Sequence, residues 1–227
     1  MTFSIVARSA GGALFGVAIA SSSPAVSARC AHGRAGVGAV ATQNITDPTL
    51  GPRVLDALAG GSNARGALDA ALNSTPFGAY RQLLAIGRGG PPAIHSGARA
   101  LGLVNAAVGA DAAAAGNLLA NAEVPAAMIA AFDGASGHLG DRLLEALRAG
   151  LDAGGEAGAV HSAGLLVVRE LSWPIVDLRV DWSDDDPVAN LSAIWRRYAP
   201  QIEDYVRRAV DPAGAPSFGV PGDDGRG

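Results

Sequence analysis

The sequence predicts an α+β protein: two stacked, mainly antiparallel β-sheets flanked by helices, an αββα four-layer sandwich. Three observations predict it. Hydrophobic residues make up 49% of the 227 residues and charged residues only 17%, a balance that requires a core rather than a disordered chain. Turn-linked strand patterns alternate along the chain with helical patterns that come in pairs, as expected of antiparallel sheets with helices packed outside them. The run from Ala163 to Arg169 is apolar at most positions and wholly so from Leu165 to Val168, which fits a strand buried on both faces.

The elements follow in order. Thr2–Arg8 alternates as a strand, Ser9–Gly12 turns, and Ala13–Ser21 returns, so the chain opens with a β-hairpin. A third strand of small side chains runs from Gly36 to Thr42. Asp47-Pro48 opens a helix with Leu50, Val54, Leu55 and Leu58 at helical spacing, and Gly60-Gly61 stops it. Ser62 or Asn63 caps a second helix through Leu72. Strands are expected at Tyr80–Gly87 and Ala93–Ser96, either side of a Gly-Gly-Pro-Pro turn, and at Val104–Gly109 and Ala112–Leu119. Val124–Ala135 and Leu139–Ala153 read as paired helices. Ile175–Val180 pairs back on the apolar strand after the Trp173-Pro174 turn. Pro187 starts a last helix, interrupted at Pro200 and resuming to about Val210. Residues 1–210 are expected as one domain, and 211–227, rich in Gly, Pro and Asp, as a disordered tail.

Composition excludes several chemistries. None of the 17 basic residues is a lysine, so P-loop, Schiff-base and pyridoxal-phosphate lysines are ruled out. The single cysteine, Cys30, excludes an internal disulfide and Cys-rich zinc sites. A net charge of −4 and 5% aromatics argue against nucleic acid as a partner. No apolar run reaches the ~20 residues of a membrane helix, and a cytoplasmic location is expected. His32, His95, His138 and His161 are scattered without metal-ligand spacing, so no metal and no cofactor are expected. Asp184-Asp185-Asp186 before Pro187 reads as a helix N-cap.

Thr2 is the most informative residue. Methionine aminopeptidase normally removes Met1 when residue 2 is as small as threonine. A terminal threonine carries a hydroxyl nucleophile and a free α-amine on one skeleton. With an unperturbed pKa of roughly 7.7–8.0, that amine is a usable base near neutrality.

The chain resembles the family known as DUF1028, an uncharacterised group placed among N-terminal nucleophile (Ntn) hydrolases. The residues carrying the resemblance are Met1-Thr-Phe-Ser-Ile-Val-Ala-Arg8, Phe15–Ser21, Arg34–Gln43, Tyr80–Leu83, His95-Ser-Gly97, Gly116–Ala120, Ser162-Ala163, Val176–Asp181 and Asp186–Val188. It implies the Ntn fold and, by superfamily analogy, hydrolysis of an amide bond in a small molecule or short peptide, with a homodimer as the analogous assembly. The chain departs from the family's usual pattern between Gly97 and Gly116, where it is mostly alanine, and at Asn121, where glycine is common.

Candidate roles follow. Thr2 is the nucleophile, and Asn117 an oxyanion donor or a turn residue. Ser4, on the same strand face, orients the Thr2 amine or is a fallback nucleophile if Thr2 is not exposed. Arg34 binds a substrate carboxylate, tunes the amine, or is a solvated strand-end charge. Gln43 and Asn44 bind substrate or shape a turn, and His95 orients a polar group or is structural. Two other readings stay open. One is a non-catalytic small-molecule-binding protein on the same fold. The other is a secreted chain cut after Ala28, leaving Cys30 near its terminus as a thiol nucleophile.

Overall fold

The computed structural model describes residues 1–220. One sheet has six strands in the order β10-β9-β2-β1-β8-β7, and the other has four in the order β3-β4-β5-β6. Their ranges are β1 Thr2–Arg8, β2 Phe15–Ser21, β3 Ala31–Arg34, β4 Gly38–Asn44, β5 Arg81–Gly87, β6 Ala93–Ser96, β7 Asn105–Val108, β8 Ala112–Asn117, β9 Ser162–Val168 and β10 Val176–Val180. Every strand pair is antiparallel. The helices are α1 Val26–Cys30, α2 Leu50–Ala59, α3 Ala64–Leu72, α4 Val124–Gly134, α5 Leu139–Asp152, α6 Pro187–Tyr198 and α7 Ile202–Val210.

Strand alternation sorts the side chains into layers. Phe3, Ile5 and Ala7 of β1 face outward, against Met128 and Phe132 of α4, Leu143 and Leu147 of α5, and Leu191 of α6. Val6, Val17, Ala113 and Leu166 face inward, against Ala39, Ala41, Leu84 and Ile86 of the smaller sheet. The outer face of that sheet, Val40, Leu83 and Ala85, packs on Val54, Leu55 and Leu68 of α2 and α3. The layers are therefore helices, six-stranded sheet, four-stranded sheet, helices. This is the sandwich the sequence predicts.

Helix starts follow local chemistry. Asn63 accepts the Gly66 N–H at 2.8 Å and caps α3. His138 and Asp141 form a reciprocal capping box on α5. Asp186 accepts from the Ala189 N–H at 2.8 Å and starts α6 beside Pro187, while also pairing with Arg148.

Three regions differ from expectation. The segment after β2 contains a short helix, α1, and a separate strand, β3. Helix α1 is entered through Ala25 in the left-handed region at φ 50°, a step that composition does not announce. It lies so close to β9 that a Cβ on Gly164 would come within 2.3 Å of the Ser27 Cβ, so that strand position requires glycine. The third expected strand starts later, at Gly38, because Gly36 with φ 63° turns β3 into β4. Of the C-terminal segment expected as a disordered tail, residues 211–220 include a 3₁₀ turn at Pro212–Gly214, and Phe218 lies beneath the Arg208 guanidinium. Residues 221–227 lie outside the described residues.

Candidate active site

Thr2 begins β1, a central strand of the larger sheet, between β2 and β8. In register it stands opposite Asn117 of β8. Its Oγ1 lies 3.3 Å from the Ser21 Oγ at the end of β2, and both hydroxyls donate to the Met1 carbonyl. Ser21 in turn stands opposite Ser162 of β9. The sheet thus ends in a polar row, Ser162, Ser21, Thr2, Asn117, spread over four neighbouring strands.

The row continues into the space between the sheets. Ser4 donates to Gln43 Oε1 at 2.6 Å. Gln43 Nε2 donates to Gln82 Oε1 at 2.8 Å and to the Ala115 carbonyl at 3.2 Å. Gln82 Nε2 donates to Ser96 Oγ at 3.0 Å and to the Gly116 carbonyl at 3.1 Å, while Asn117 Nδ2 donates to Gln82 Oε1 at 3.1 Å. Ser4, Gln43 and Gln82 are fully buried and Asn117 nearly so, hence the dense bonding, since an unpaired amide there costs about 1–3 kcal/mol. Asn117 Oδ1 is the exception: it is buried without a hydrogen-bond partner among the described residues.

The structure brings Thr2, Ser4, Gln43 and Asn117 together. It places the other candidates elsewhere. Asn44 ends β4 with φ 73°, and its side chain ties two loops, donating to the Tyr80 carbonyl at 2.5 Å and accepting from the Leu101 N–H at 3.1 Å. That is the turn role of an asparagine tolerant of the left-handed region. His95 pairs with Leu83, so it faces the outer helices, with Nε2 3.0 Å from the Gly78 carbonyl. Arg34 lies opposite Gly38, and Gly38 opposite Gly87, whose carbonyl accepts from Arg8. This is the far end of β1, about 20 Å from Thr2 at strand rise. There Arg34 forms an exposed ion pair with Asp56 at 2.8 Å, so it serves a strand end and neither binds at Thr2 nor tunes its amine. Cys30 is buried beside Thr46, and burial raises its pKa, which keeps the thiol protonated and a poor nucleophile.

Sequence reasoning missed Ser21, Gln82 and Glu156. Ser21 follows in register once the opening hairpin is drawn, as the residue across from Thr2. Gln82 lies in the Tyr80–Leu83 stretch of the family resemblance but has no role assigned by it, and Glu156 carries no local motif. Glu156 is 4% exposed, with Oε1 accepting the Ser22 N–H at 2.9 Å and Oε2 buried without a partner. Burial pushes its carboxyl up to about 7, against the lowering influence of the chain's amino terminus, the Ser22 hydrogen bonds and His161.

The approach to this end is apolar. Ile45, Phe77, Leu101 and Leu103 are exposed there, and a cavity of about 240 Å³ lies between Ile45, Phe77, Tyr80 and Arg81. Two larger cavities, about 540 and 450 Å³, are lined by Gly36–Val37 with Gly87–Gly90 and by Gly33–Ala35 with Trp173, at the opposite end. None of the three is lined by Thr2, which is 6% exposed under Met1.

The model of a family of unknown function, DUF1028, matches residues 2–191. The chain belongs to the DUF1028 family. It is similar over 91% of its length to 90% of the DUF1028 protein SPO2555 from Silicibacter pomeroyi, whose crystal structure aligns with a TM-score of 0.84 at 30% identity. Weaker likenesses are to Anbu, an ancestral beta-subunit, from Yersinia bercovieri (TM-score 0.43, 11% identity, 89% of this chain and 96% of that one). Anbu from Hyphomicrobium sp. strain MC1 also matches at a TM-score of 0.43 and 11% identity, over 96% of this chain and all of that one. None of the curated proteins matches the chain. No helix among the described residues is long and apolar enough to cross a membrane.

Proposed function

We propose that this DUF1028 protein is an amide hydrolase of the N-terminal nucleophile type, acting on a small amide or short peptide after Met1 is removed. One observation carries the reading: the residue-2 hydroxyl sits at the mouth of a central strand, with a second hydroxyl and a buried amide network behind it. In this reading Thr2 Oγ1 attacks the substrate carbonyl carbon and its proton passes to the Thr2 amine. The carbonyl oxygen becomes an oxyanion, held by Asn117 Nδ2 and backbone N–H groups. Collapse expels the amine leaving group, which takes the proton, and leaves an ester on Thr2. Water then cleaves that ester with the same amine as base. Removing Met1 takes away the carbonyl to which both hydroxyls now donate, freeing them for substrate. The exposed Ile45, Phe77, Leu101 and Leu103 offer an apolar surface along which a short peptide can lie.

A second reading, a small-molecule-binding protein without turnover, draws support from Asn117 Nδ2: one of its two hydrogens is committed to Gln82, which leaves a single side-chain N–H for an oxyanion. One experiment separates the two. Intact-mass measurement reports whether Thr2 is the first residue, and a panel of small amides and dipeptides is then assayed with the wild type and Thr2→Ala. Turnover lost in the variant supports the hydrolase. Ligand binding without turnover, unchanged by the variant, supports the binding protein.

A further inference from the structure

The segment between α5 and β9 closes the end of β1. Along β8 the ladder partner of Asn117 is Thr2, but beyond it the partners change. The Ala157 N–H donates to the Leu118 carbonyl at 3.0 Å, and Glu156 bridges Leu119 in the antiparallel sense. Ala157 and Glu156 therefore occupy the ladder slots through which β1 would continue upstream. On the other flank, Glu156 Oε1 accepts from the N–H of Ser22, the residue that follows Ser21 at the end of β2. Glu156 is thus fastened across both neighbours of β1, in line with the strand's first residue. One of its oxygens accepts that bond. The other is buried and has no hydrogen-bond partner among the described residues, and Asn117 Oδ1, directly across the ladder from Thr2, is in the same condition. A peptide nitrogen supplies one N–H, whereas a terminal ammonium supplies three, so Met1 removal creates donors where buried acceptors stand empty.

Resting on the Thr2 reading above, we propose that Glu156 is the positioning residue for the chain's terminal amine: its free carboxylate oxygen accepts a hydrogen bond from the Thr2 α-ammonium and holds that nitrogen beside the Thr2 hydroxyl. The groups that act on Glu156 are the amine of Met1, which Met1 removal replaces by that of Thr2, and His161 just before β9, whose Nδ1 lies 4.0 Å from Asp184. The proton balance is simple. The ammonium gives one proton to the carboxylate, leaving a neutral amine and a neutral carboxylic acid, and the amine then takes the hydroxyl proton of Thr2. Burial raises the carboxyl to about 7, so it can take a proton from a neighbouring ammonium near neutral pH, and each pKa unit between two such groups changes the neutral-amine population tenfold. In a chain without lysine, this carboxyl–amine pair supplies the proton traffic.

The test is the titration of the amine itself. The full chain with Thr2 as its first residue, verified by intact mass, is labelled at threonine with ¹³C and ¹⁵N. The Thr2 Cα and Cβ shifts are followed against pH in the wild type, Glu156→Gln and Glu156→Asp. The glutamine keeps the acceptor for Ser22 but loses the charge. The expected result is an amine pKa lower by about one unit in Glu156→Gln, with Glu156→Asp in between. An unchanged amine titration in a folded Glu156→Gln protein overturns the proposal. Hydrolysis is measured separately on the same samples. A shifted titration without Thr2-dependent turnover upholds the Glu156 assignment and overturns the hydrolase reading instead.

Discussion

Thr2 Oγ1 and Ser21 Oγ lie 3.3 Å apart at the paired ends of the two central strands, and both donate to the Met1 carbonyl. Antiparallel register holds the two backbones side by side, so only χ1 rotation is left to move either oxygen. If Thr2 is the nucleophile, Thr2→Ala is expected to lower kcat by about 10³-fold or more, and Thr2→Ser to retain measurable turnover. Ser21→Ala removes one neutral hydroxyl contact and is expected to cost about 5–10-fold, near 1 kcal/mol. Initial-rate kinetics on whichever amide the wild type turns over reads all three. Equal rates for Ser21→Ala and Thr2→Ala would contradict the division of roles.

Gln82 is the hub of the buried network, with both side-chain ends engaged by Gln43, Asn117, Ser96 and the Gly116 carbonyl. Gln82→Leu keeps much of the volume and strands several buried polar groups at once. The expected loss is about 3 kcal/mol, a melting temperature lower by roughly 6–12 °C for a chain of this size. Thermal unfolding followed by circular dichroism checks this.

Glu156 makes stability depend on pH with a defined sign. Its folded pKa, about 7, lies above the ordinary 4.5, so the native state binds the proton more tightly than the unfolded chain does. The associated stabilisation is full below pH 4.5 and is lost as pH rises towards 7. Compared at successive pH values, Glu156→Gln should gain on the wild type across that window, by on the order of 2 kcal/mol, and hold the gain above it. Urea unfolding at pH 4.5, 6 and 8 tests the trend. A constant difference would place the ionisable group elsewhere.

At the far end of β1, Arg8 donates to Asp111 Oδ1 at 2.7 Å and to the Gly87 and Gly90 carbonyls at 3.0 Å, with its side chain 14% exposed. It ties the larger sheet to the β5–β6 turn of the smaller one. Arg8→Met is expected to cost about 1–3 kcal/mol in stability and to leave turnover per folded molecule unchanged. Arg34→Ala, by contrast, removes an ion pair whose side chains are 40% and 68% exposed, and should change stability by less than ~1 kcal/mol. Denaturant melts of the two variants discriminate them.

These contrasts trace what was legible in the sequence. The layers were legible because their cause is local: β1 and β2 alternate, α5 has an apolar stripe, and Asn63 and Asp186 are helix caps that follow rules of a few residues. The nucleophile candidate was legible because it depends on position 2 alone. The rest of the site was not, because it is assembled by register. Nothing near Gln82 in sequence signals that it meets Asn117, and Glu156 follows two glycines in what reads as a helix-ending loop. Arg34 shows the opposite limit: an arginine at a strand end is informative only once it is known which end of the sandwich that strand end belongs to.

The alanine strand β8 carries a consequence beyond packing. Ala112 and Ala114 press on the helical layer while Ala113 and Ala115 press on the smaller sheet, and the carbonyl of Ala115 accepts from Gln43. Volume and hydrogen bonding at the Thr2 end are therefore one variable. A larger residue at position 115 would part the sheets and unthread the amide network in the same movement. Any change in what this site accepts is thus easier to make from the exposed rim, at Leu101, Leu103 or Phe77, than from the wall.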